Sequence, residues 1–118
     1  MPTAIDRTGL IRTLDQLDSA LADNVERSNM VRERVRSFRD RLRDGATVVG
    51  LVEAEESPRT VEMLSSNMAV LETIGADFRA DLAHALREED LTIEAIAGLF
   101  GVTRQRISAL LRQRSDRA

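Results

Sequence analysis

With 118 residues, 42% hydrophobic and 31% charged, the chain has the composition of a soluble helical protein and the length of one domain or a small unit with a helical extension. It has no cysteine, which excludes disulfides and cysteine-ligated zinc, and no apolar run approaches a membrane span. The net charge of −3 is unevenly spread: residues 101–118 carry five Arg against one Asp, residues 44–94 twelve acids against three Arg. The amino-terminal MPTAIDRTGL lacks the basic-then-apolar layout of a signal peptide, so a cytoplasmic protein without membrane partners is expected. Only six Gly and two Pro punctuate the chain, and few segments alternate as strands do, so the expected fold is all-α.

Residues from about 4 to 43 form a heptad series. Leu10, Leu14, Leu17, Leu21, Asn24, Ser28, Val31, Val35, Phe38 and Leu42 follow at alternating steps of four and three. Such a seam requires a partner helix, from the same chain or another subunit. For the two polar positions, Asn24 and Ser28, two readings stand: they fix the register of the seam, or the seam loosens there. The arginine run Arg32–Arg43 flanks the seam, where pairing with acids such as Glu72 and Asp81 is expected. A second DNA contact or an acidic partner is the other reading.

Asp44-Gly45 closes this helix, and residues 46–55 suit a short one. Ser57 as N-cap and Pro58 at the first position would open a third helix over 58–74. Its apolar stripe, Leu64, Met68 and Leu71 widened by Met63, Val70 and Ile74, is broad enough to touch more than one neighbour. Folding it back on the first helix gives a hairpin, and two hairpins pair into a bundle. Residues 1–75 are thus expected to be a dimerisation region built on Leu10, Leu14, Leu17, Leu21, Val31, Val35, Phe38, Leu64, Met68 and Leu71. Gly75 reads as a joint, followed by a helix over 76–89 with Phe78, Leu82, Ala85 and Leu86 on one face.

Residues 92–99 and 103–114 then read as two helices joined by a tight turn. Thr92 and Thr103 are suited to cap them, and Gly101 supplies the left-handed turn. Ile93, Ile96, Ala97 and Phe100 face inward, Val102 fills the corner, and Ile107, Leu110 and Leu111 point back to the core. Arg104, Gln105, Ser108 and Arg112 are left outward, with Arg106 and Ala109 on the flanks. Arg can give guanine a bidentate pair of hydrogen bonds and Gln can do the same for adenine. Ser108 is a small donor or acceptor, and the Ala109 methyl could meet a thymine methyl. Thr92, Arg106, Arg112 and Arg114 are placed for phosphates.

TIEAIAGLFGVTRQRI, from Thr92 to Ile107, resembles the promoter-recognition helix-turn-helix of primary sigma factors. The longer REEDLTIEAIAGLFGVTRQRIS resembles small repressor domains. The likeness covers Phe78 to Arg112, under a third of the chain. It departs at Ser108-Ala109, where sigma factors usually carry Arg-Gln. It implies a tri-helical fold over residues 76–118 and a DNA-reading role for Arg104, Gln105 and Ser108, with Arg106 on the backbone. The expected activity is sequence-specific regulation of transcription by a homodimer on a two-fold site in double-stranded DNA. Half-sites would lie about one turn (~34 Å) or a multiple apart. The alternatives are an adaptor docking on RNA polymerase or another regulator, and a low-specificity architectural DNA protein. His84, with Glu88 one turn on, reads as a surface pair rather than a metal site. No cofactor and no enzymatic activity is expected.

Overall fold

The computed structural model describes residues 7–117, and side chains as far as Gln113. Five helices follow one another: α1 Thr8–Arg43, α2 Val48–Ala54, α3 Thr60–Glu88, α4 Ile93–Phe100 and α5 Arg104–Arg117. The fold is all-α, with α1 packed against α3 and with α3, α4 and α5 in contact. By its contacts the chain divides into two compact units. One comprises residues 19–72; the other joins the chain up to Asp18 with residues from Thr73 onward. Both α1 and α3 run through both units.

The heptad series does form one helix. It ends where Gly45 takes φ +100, a conformation that costs glycine little, and the last carbonyls are closed by the chain beyond. Gly45 N–H donates to Leu42 O at 3.1 Å and Ala46 N–H to Arg41 O at 3.0 Å, the paired bonds of a Schellman ending. In the unit of residues 19–72, Ala20, Leu51 and Met63 are buried. The polar positions of the seam face the returning helix. Asn67, buried, donates from Nδ2 to Ser28 Oγ at 3.2 Å and accepts from Arg27 Nε at 3.1 Å. Ser28 donates to Asn24 Oδ1 at 3.4 Å. This layer satisfies its own hydrogen bonds, as buried polar groups must, and it fixes α1 against α3.

Three expectations are corrected. Pro58 does not open α3: the helix starts at Thr60, and carboxylates rather than Ser57 serve its first donors. Arg59 N–H donates to Glu62 Oε2 at 2.9 Å and Thr60 N–H to Glu55 Oε2 at 2.6 Å. The helices expected over 58–74 and 76–89 are one, because Gly75 in a helix interior costs only about 1 kcal/mol, too little to break a helix that packs along its length. The arginine run does not use Asp81, which is buried and bonded to the Thr13 hydroxyl. Its ion pairs are Arg34 with Glu55 at 4.0 Å and Arg39 with its neighbour Asp40 at 3.0 Å.

The expected seam residues divide by exposure. Leu10, Leu17, Val31, Phe38 and Leu71 are half-buried, whereas Leu14, Leu21, Val35, Leu64 and Met68 are exposed. In the other unit the core is Ala83, Ile96, Ala97, Ile107 and Leu110. Leu86, Leu91, Ile93, Phe100 and Leu111 pack around it.

Candidate nucleic-acid interface

The two short helices are held by local chemistry the sequence had shown. Thr92 Oγ1 accepts from Ala95 N–H and Thr103 Oγ1 from Arg106 N–H, each at 3.1 Å, so each threonine satisfies an orphan donor at a helix start. Between them Gly101 sits at φ +67, ψ +34, and Val102 N–H reaches back to Ala97 O at 3.1 Å. A side chain at Gly101 would meet no neighbour, but it would be strained by the backbone angle.

α5 is fixed from behind. Ile107 and Leu110 are fully buried, worth about 1.5–3 kcal/mol each against exposure. Ala83 and Ala97 are small enough for the helices to approach closely. His84 Nε2 lies 2.9 Å from Leu111 O, where its N–H tautomer donates to the helix. That contact replaces the expected surface pairing of His84 with Glu88.

With one face so anchored, the opposite face is presented outward. Arg104, Gln105 and Arg112 are exposed and Ser108 is half-buried. With Thr103 and Ile93 they line one open concavity of about 580 Å³. Five expected residues therefore come together, Thr103, Arg104, Gln105, Ser108 and Arg112. The side chains of Arg104, Gln105 and Arg112 make no hydrogen bond or ion pair among the described residues, so their donors are free for a ligand. Ile93, read from the sequence as inward, lines the concavity while also packing on the core.

The remaining expected residues lie elsewhere. Thr92 is exposed at the start of α4 with its hydroxyl engaged as a cap, and Ala109 is half-buried. Arg106 lines a different groove, with Phe78, Arg79, Leu82, Phe100, Val102 and Leu110. Val102 does not fill the corner completely; it keeps 41% of its surface exposed. The side chain of Arg114 lies outside those described.

Local electrostatics set the face apart. The first turn of α5 contains no acid and carries Arg104 and Arg106, against the preference of a helix N-terminus for negative charge. Among the described residues no three His, Cys, Asp or Glu side chains are grouped to hold a metal ion. No described helix is long and apolar enough to cross a membrane. Comparison of the chain with protein-family models, with curated proteins and with solved structures finds no match.

Proposed function

We propose that the protein is a sequence-specific DNA-binding regulator of transcription, acting as a homodimer on a two-fold site, with α5 reading the major groove. One observation carries this reading. Arg104, Gln105, Ser108 and Arg112 share one open concavity on a helix whose other face is locked into a core. A rigid helix presenting unpaired Arg and Gln donors is what direct reading of base edges requires, each good bidentate pair being worth ~1–3 kcal/mol of discrimination. The resemblance of residues 92–107 to sigma-factor and repressor recognition units supports it. The exposed Leu21, Val35, Leu64 and Met68 support self-association.

A second reading, docking on RNA polymerase or another regulator, has its own observation: the groove of Phe78, Leu82, Phe100 and Val102 rimmed by Arg79 and Arg106. Selection from random duplex DNA, run beside R104A/Q105A, decides between them. Enrichment of a two-fold motif that the double variant loses is the expected result. No enrichment by the wild-type chain would sink sequence-specific reading and leave docking or low-specificity DNA binding.

A further inference from the structure

The second half of α1 carries a row of cations that the fold does not neutralise. Arg32, Arg36, Arg39 and Arg43 recur at steps of four, three and four residues, which sets them on one face of the helix. They span about 16 Å at 1.5 Å per residue. All four are exposed. Arg39 meets only its neighbour Asp40, at 3.0 Å with both side chains more than half exposed. Arg32, Arg36 and Arg43 make no hydrogen bond or ion pair among the described residues. Glu33, Asp40 and Asp44 flank the row on one side, but only Asp40 pairs with it, through Arg39, and Glu55 accepts from Thr60 N–H at 2.6 Å and pairs with Arg34. Like charges one helical turn apart, Arg32 with Arg36 and Arg39 with Arg43, repel and weaken the helix that holds them. A linear array of guanidinium forks, each able to grip a phosphate through two hydrogen bonds, is matched by a linear polyanion. The chain has no Trp or Tyr, the residues that seat a basic helix among lipid headgroups.

We infer that the Arg32, Arg36, Arg39 and Arg43 face of α1 is a second contact surface for duplex DNA. It binds the phosphate backbone without regard to sequence and is distinct from the reading face of α5. The inference rests on the protein acting on DNA, and the test separates the two. Equilibrium binding of the full chain to duplex DNA is measured over a range of salt for the wild type, R104A/Q105A and R32Q/R36Q/R39Q/R43Q. Gln keeps the helix propensity of Arg, and circular dichroism checks that α1 persists.

Each phosphate contact contributes about −0.9 to the slope of log K against log salt, so the quadruple variant should flatten that slope by about 3–4 per protomer. It should bind every duplex more weakly and keep the order of preference among them. R104A/Q105A, which removes one charge per protomer, should lose the preference and change the slope by about 1 per protomer at most. A quadruple variant with the wild-type slope overturns the inference and leaves α5 as the reader. Absence of DNA binding by the wild type overturns both. Two further results also overturn it: loss of self-association in the quadruple variant assigns the stripe to a contact between copies. Loss of binding to phosphatidylserine vesicles with an unchanged DNA slope assigns it to a membrane surface.

Discussion

Asp90 holds a left-handed backbone at φ +70, the one described residue other than glycine to do so. It ends α3 as Gly45 ends α1. Asp90 N–H donates to Arg87 O at 3.0 Å and Leu91 N–H to Leu86 O at 3.1 Å, while Leu91 and Leu86 both pack on the core. An L-residue pays about 1–2 kcal/mol for that conformation, and glycine returns part of the gain as unfolded-state entropy. Asp90→Gly should therefore stabilise the protein by about 0.5–1 kcal/mol. Urea unfolding with an unchanged m-value would show it; a loss of stability would mean that the Asp90 side chain contributes more than its backbone costs. At this scale legibility followed sequence distance. Thr92, Thr103 and Gly101 were readable because a cap and its partner lie within a turn of each other. The partners of His84 and Ser28 lie 27 and 39 residues away, and nothing local announces them.

Among elements, α3 has the widest consequences, since one 29-residue helix lies in both units. Gly75 stands inside it without a turn or a positive φ to require it. A Cβ there would lie 3.3 Å from Arg79 Nη1, the far end of a flexible side chain that can give way. Gly75→Ala should stabilise α3 by about 0.5–1 kcal/mol, read as a higher thermal midpoint with no change in oligomeric state. A fall instead would show that the Arg79 position matters to the fold. The heptad spacing gave the continuity of α1 to Arg43, because period and helix are the same information, although the helix begins at Thr8 rather than near residue 4 and residues 4–6 lie outside those described. It could not say which half of a wide seam the returning helix covers. Small residues buried along the two helices, Ala20 on α1 and Ala80 on α3, carry too little hydrophobicity to stand out in a pattern.

For the molecule as a whole, the distribution of exposed apolar surface is uneven. In the unit of residues 19–72, Leu21, Val25, Val61, Leu64 and Met68 stand exposed, Val61 at 75% and Met68 at 64%. Covering such half-exposed side chains is worth about 1 kcal/mol each. If a second copy covers them, L64E/M68E removes four per dimer and should weaken self-association about a thousandfold. Sedimentation should show monomers at concentrations where the wild type is dimeric, with helicity preserved. A wild-type chain that is already monomeric at high concentration would sink the homodimer. The grouping of Arg104, Gln105, Ser108 and Arg112 on one face was legible because its spacing is local to α5, whereas the pairing of the Arg32–Arg43 run depended on where more distant acids lie. The division of the chain also bears on its birth at the ribosome. Residues 19–72 are all synthesised, and can pack on one another, before any of α4 or α5 exists. The other unit waits for the final helix, although its opening segment, with Thr13, was made first. A nascent chain thus acquires its hairpin early and the concavity of α5 last, and a stalled or truncated product keeps the exposed apolar residues of the hairpin without the Arg104, Gln105 and Arg112 face.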